Sequence, residues 1–217
     1  MTCTPLRALG IFAAAGFLAA GCLQKDMTET WYLEPDGSTS WVVQESDVRS
    51  DAQTALDRQN EEGSYLGAVE RQDHPVARAF RELGFADVHT RFLRRAVPFI
   101  VVTDAKAGRI DVLGQHLIMR LGLEGTSALT REDDAWQWTM TMRDPHAPSG
   151  VQPSDDMQAL LEGANALKVV LVAGRFEDAS GFKISSDHRV ATVEDLEKQA
   201  GNHQDDDPTI VLRLRWK

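Results

Sequence analysis

The sequence predicts an α+β domain with a mostly antiparallel sheet and helices packed on one face, preceded by a cleaved signal peptide. Three observations carry this. In "AWQWTMTM", Trp136, Trp138, Met140 and Met142 alternate with Gln137, Thr139 and Thr141, the period-two pattern of a strand with one buried and one wet face. The closing residues "TIVLRLRW" repeat it, with Ile210, Leu212, Leu214 and Trp216 sharing a face against Arg213 and Arg215. Between such segments lie stretches whose apolar residues are spaced by three and four, the period of amphipathic helices, with no internal repeat.

The chain opens with one cation, Arg7, then thirteen uncharged residues from Ala8 to Ala20, then Gly21-Cys22. That is the layout of a secretory signal peptide. Thirteen residues rise about 20 Å as a helix, short of a hydrocarbon core of about 30 Å, so the segment reads as removed and not as a permanent span. Ala19, Ala20 and Gly21 directly before Cys22, with Leu18 one place further out than the usual Leu, resemble the lipobox of bacterial lipoproteins. The resemblance implies a lipoprotein signal over residues 1–21, a diacylglycerol thioether on Cys22 and acylation of the new amino terminus. Cys3 then leaves with the signal and Cys22 is consumed, so the exported chain holds no free thiol and no disulfide, a quiet arrangement in an oxidising envelope. Attachment to the membrane follows from two or more acyl chains. In diderm lipoproteins a non-acidic residue after the cysteine, here Leu23, implies delivery to the periplasmic face of the outer membrane. The plainer alternative is a secreted protein cut nearby with Cys22 free.

Residues 22–28 read as a short polar tether, and 29–217 as a single envelope domain. "ETWYLEPDGSTSWVVQ", Glu29 to Gln44, places two apolar runs around Pro35-Asp36-Gly37, a hairpin turn with fixed φ, a local side-chain bond and a residue free to take positive φ. Ser46 and Asp47 suit a helix cap, with Val48, Ala52, Ala55 and Leu56 as the inward face. Tyr65, Leu66 and Val69 repeat that spacing after Gly63. Pro75 to Leu83 does so again with Gly84 as its stop. Residues 46–83 therefore form a helical insertion. "FLRRAVPFIVVT", Phe92 to Thr103, predicts a strand that Pro98 makes an edge or bulged one.

Ile110, Leu113, Leu117 and Leu121 favour a helix ending at Gly122, although alternation also allows a strand from Leu117 to Leu123. The acidic turn Glu132 to Asp134 joins Ser127–Thr130 to the Trp136 strand as a second hairpin. Ser154 suits a cap for a short helix with Met157, Leu160, Leu161 and Ala164 inward. Leu167–Ala173, Phe182–Ser185 and Arg189–Val193 read as strands, and Asn202–Pro208 as a polar loop. The Glu29–Gln44 hairpin, the Trp136 strand and the closing strand are expected in one antiparallel sheet. The opening Pro-Asp-Gly hairpin behind a lipid-bearing cysteine, and "VLVAGRFEDASGFKISSDHRVATV", are similar to the LppM-type domain of bacterial lipoproteins over about a third of the chain. That resemblance implies an envelope domain that handles lipid or glycolipid, and carries over no site residues.

Net charge is −10 at pH 7. Such a balance argues against nucleic acid and against flat adsorption onto anionic lipid heads, both of which reward clustered cations. His74, His89, His116, His146, His188 and His203 show no metal-pair spacing and have no cysteine to join, so no metal is expected. "HQDDDP", His203 to Pro208, lacks the oxygen spacing of a calcium loop. No G-x-S-x-G elbow or phosphate loop occurs, and no cofactor is implied. Asp155 and Asp156 fit a helix amino terminus. The expectation is a non-enzymatic lipoprotein binding an apolar ligand, a lipid or an envelope protein partner. Its candidate surface is Trp136, Trp138 and Met140, whose ordinary alternative is core packing. The other class is an envelope hydrolase with a site assembled from distant residues. A pocket with convergent titratable groups would favour the hydrolase, and an open apolar groove would favour binding.

Overall fold

A computed structural model of the chain describes residues 23–120, 123–143, 167–194 and 209–217, and the described residues hold eleven strands and three helices. The α+β class with mostly antiparallel sheets is as the sequence predicts. The signal segment, the Ser154 cap with its helix and the Asn202–Pro208 loop lie outside the described residues. The described residues divide into two compact units, one of residues 23–29 with 41–106 and one of residues 30–40 with the described residues from 107 on.

In the first unit the strands run in the order β3 (Ala86–Arg94), β4 (Phe99–Arg109), β2 (Ser38–Ser50), β1 (Leu23–Leu33). β1 begins at Leu23, so residues 23–28 are strand and not tether. The hairpin is likewise longer than expected, because β2 runs on to Ser50 through the Ser46-Asp47 pair that resembles a cap. Asp47 adopts φ 53 there and Ser46 and Asp47 are both half-buried, a shift that returns Val48 to the buried face. The helix starts later. Thr54 caps α1 (Ala55–Glu70), its hydroxyl oxygen accepting the Asp57 N–H at 3.1 Å while its own proton goes to the Asp57 carboxylate at 2.6 Å. Val48 and Ala52 thus precede the helix rather than facing inward from it.

Gln72 then ties the interhelical link to β3, donating to Thr90 O at 2.6 Å and accepting from Thr90 N at 2.8 Å. α2 (Pro75–Glu82) follows the sequence expectation, with proline in the first turn, Leu83 as C-cap and Gly84 at φ 78. Phe92–Thr103 is not one strand. Pro98 sits in the turn between β3 and β4, with a cis Val97–Pro98 peptide, and the two strands pair antiparallel. Missing its N–H, a proline is better placed in that turn than in a ladder. Trp41 against Phe80 at 5.3 Å, and Tyr65 stacked on Phe99 at 5.9 Å, fill this unit's core.

In the second unit, the Thr30–Leu33 end of β1 pairs parallel with β7 (Lys168–Leu171). β7 pairs antiparallel with β10 (Val190–Val193), which pairs with β9 (Phe182–Ile184). A separate four-stranded antiparallel sheet has the order β5 (Glu124–Glu132), β6 (Ala135–Arg143), β11 (Thr209–Trp216), β8 (Phe176–Ser180). The expected second hairpin is present, turning at Asp133 with φ 53. The opening hairpin does not join this sheet. Its Trp31 meets Trp138 edge to face at 6.0 Å, so two apolar strand faces cover each other instead of lying side by side.

α3 (Ile110–Arg120) is the helix that the three-and-four spacing predicts, and it presses on β5 and β6 at Gly114. A Cβ there would lie 2.3 Å from Ser127 Oγ, the atom that accepts the Trp138 indole N–H at 2.9 Å. Gly37, at φ 87, closes the opening turn and accepts the Ile110 N–H at 2.9 Å. With Trp138 fully buried, Trp138→Ala should cost about 3 to 5 kcal/mol in denaturant melts. Trp138→Phe keeps a ring but strands the Ser127 hydroxyl, and should cost about 1 to 3 kcal/mol. A loss below about 1 kcal/mol for the alanine variant would contradict the packing.

Candidate functional site

Trp138 and Met140 are buried, and Trp136 is half-buried beneath the Arg131 guanidinium at 5.3 Å. The expected surface on Trp136, Trp138 and Met140 is therefore mainly core. Alternation marks which face is apolar, but an opposing indole, Trp31, already covers it. Cys22 lies outside the described residues, and β1 starts at the next residue.

Two other arrangements, both in the first unit, hold chemistry. One is a buried polar cluster around Glu45. The period of β2 places Trp41, Val43 and Glu45 on one face, so a carboxylate occupies a position that the pattern reserves for an apolar residue. It is matched from three elements. Lys25 of β1 forms an ion pair with Oε1, His74 Nε2 lies 2.9 Å from Oε2, and the Tyr65 hydroxyl donates to Oε2 at 3.2 Å. His74 is fully buried and caps α2, its Nδ1 accepting the Val76 N–H at 3.3 Å. That capping bond needs an unprotonated Nδ1, which leaves the ring proton on Nε2, facing the carboxylate.

Burial pushes the Glu45 pKa up, but the His74 ring and the Lys25 ammonium outweigh it and hold the value at about 2. Burial, with the adjacent Glu45 charge and hydrogen bond, raises the Tyr65 phenol well above its ordinary value, so it remains a donor. An acid–base pair closed to solvent has no route to a substrate, and this cluster fastens elements together. The sequence signal was the carboxylate in the apolar phase of β2 and a histidine immediately before a helix-starting proline.

The second arrangement is an open groove of about 880 Å³ between the end of β2, the start of α1 and the β3–β4 turn. Leu66, Val97 and Phe99 supply apolar lining, and Arg49, Arg58 and Arg95 supply guanidinium groups beside a single lining carboxylate, Glu62. The arginines are lightly committed. Arg58 donates to Ala52 O at 2.7 Å and Gln53 O at 3.2 Å, Arg49 meets Asp47 at 3.2 Å, and Arg95 pairs with Glu70 while lying 5.7 Å from the Phe92 ring centroid. Exposed pairs of this kind contribute about 0 to 1 kcal/mol each and are easily exchanged. Reading segments one at a time missed this groove, because its parts come from three elements. Its composition suits an anionic group carrying apolar surface. Among the described residues no group of three or more His, Cys, Asp or Glu is arranged to hold a metal ion, and no helix is long and apolar enough to cross a membrane.

No family model matches the sequence, and no curated protein matches it. Among solved structures, the chain has a faint likeness to the NMR structure of the folded domain of LppM from Mycobacterium tuberculosis. That match covers 94% of this chain and 95% of that chain, at 8% identity and a TM-score of 0.35.

The Glu45 cluster sets an acid dependence. Glu45 has a lowered folded-state pKa, so the stability it contributes is complete above its unfolded value of about 4.5 and is lost as pH falls toward 2. The change amounts to roughly 3 kcal/mol. Glu45→Gln should be clearly less stable than the parent at pH 7 in urea melts, and that deficit should shrink between pH 4.5 and pH 2. A deficit constant across that window would show that the carboxylate is not held ionised.

Proposed function

We propose that this chain is a bacterial envelope lipoprotein, cut before Cys22, acylated there, and built to bind and not to catalyse. The observation that carries the reading is the run of small residues Ala19-Ala20-Gly21 before Cys22, at the end of an uncharged segment too short to span a membrane. In a host with two membranes, the non-acidic Leu23 directs the anchored protein to the periplasmic face of the outer membrane. The binding element is the arginine-rimmed groove of the first unit, whose open shape and apolar lining favour reception of a lipid, an apolar ligand or a protein partner over an enclosed catalytic pocket.

Cys22→Ser tests the anchor, because a hydroxyl is a far poorer nucleophile than a thiolate. Intact mass of the wild-type protein should begin at Cys22 and carry acyl chains. The serine variant should lack them and appear soluble or uncut. A mature wild-type chain that starts elsewhere with an unmodified cysteine would overturn the proposal.

A further inference from the structure

We infer that the β3–β4 turn and the groove beside it form a second membrane contact, a headgroup-level docking surface for an anionic bilayer. This deepens the binding role proposed for the groove, and it rests on the lipoprotein reading for which bilayer is at hand. The first observation is where the chain comes into the fold. Leu23 packs against an apolar cluster of Val48, Tyr65, Val69, Phe99 and Val101, which Leu66 and Phe92 also join. Phe99 and Leu66 line the groove. A lipid on the residue before Leu23 has no linker, since one residue reaches at most about 3.6 Å. The groove end of this unit is then held at the membrane surface.

The second observation is what that end presents. Leu93 is 58% exposed and Val97 48% exposed, with Arg94 and Arg95 between them, so two aliphatic side chains flank two cations at a hairpin tip. Arg94 donates to Pro98 O across the turn and fixes its shape. In water the exposed aliphatics gain nothing. At an interface they reach the acyl boundary while guanidinium forks meet lipid phosphates.

Charge complementarity here is local. Asp47, Glu62 and Glu70 stand among the arginines, so docking exchanges weak exposed pairs for phosphate contacts and does not draw on a net positive field. The net charge of −10 opposes unspecific adsorption onto an anionic surface, so contact with one has to come from a local patch of exposed arginines such as this turn.

The test uses residues 22–217 with Cys22→Ser, so that no acyl chain contributes, in flotation with vesicles of phosphatidylglycerol and phosphatidylcholine against vesicles of phosphatidylcholine alone. The expected result is binding to the anionic vesicles only. Arg94→Glu with Arg95→Glu should weaken it at least tenfold, and Leu93→Ser with Val97→Ser should weaken it severalfold. Lys183→Glu, on an exposed residue of the second unit, should leave it unchanged. All five positions are exposed, and thermal melts check that each variant is folded. Absence of binding, binding indifferent to phosphatidylglycerol, or equal loss in Lys183→Glu overturns the inference. Intact mass of the wild-type chain reports acylation separately. Acylated Cys22 with failed flotation removes only the docking surface, whereas flotation with an unmodified cysteine keeps the surface and removes the anchor.

Discussion

The first unit depends on one buried negative charge. Glu45 gathers Lys25 from β1, Tyr65 from α1 and the cap of α2, His74, so a single carboxylate joins four elements. A buried ion is costly unless its partners are in place, and removing any one leaves the others stranded. The cluster therefore does more to choose an arrangement than to add stability. Slipping β1 or β2 by one residue would turn Lys25 or Glu45 to the wrong face. Apolar contacts such as Tyr65 on Phe99 tolerate small shifts, whereas a buried carboxylate with a histidine Nε2 at 2.9 Å does not.

The second unit is specified differently, by indoles. Trp31 and Trp138 meet directly, Trp138 gives its N–H to Ser127, and Trp216 gives its N–H to Pro35 O at 3.2 Å. Trp138 and Trp216 are thus each oriented by one polar bond as well as by packing. Gly114 belongs to the same device, because only a residue without a side chain leaves room for the Ser127 hydroxyl beneath α3.

What could be read from the sequence follows from which patterns are local. β6 and β11 were legible because alternation over eight residues has no competing explanation, and α2 because proline and glycine bracket it. The start of α1 was misplaced because Ser46-Asp47 and Thr54 both have capping chemistry, and only the cross-strand partners of β2 decide between them. Pro98 reads as the mark of an edge or bulged strand because nothing in the twelve residues from Phe92 to Thr103 shows that the chain reverses there. The Trp138 face was legible as apolar but not as covered, since its cover, Trp31, lies far away in sequence. The groove and the Glu45 cluster join distant positions, and only single misfits, such as a carboxylate in the apolar phase of β2, hinted at them.

If the chain is cut before Cys22, as proposed above, the place of Leu23 in β1 also orders events in time. A peptidase that cuts before Cys22 must hold the residues around that bond extended in its own cleft. Leu23, Gln24 and Lys25 cannot occupy that cleft and the edge of a sheet together. Processing must therefore come before the first strand docks. Until it does, Lys25 is kept from Glu45, and the buried carboxylate lacks its cation. On this reading the first unit waits on the protease, and its final closure reports that the leader has gone.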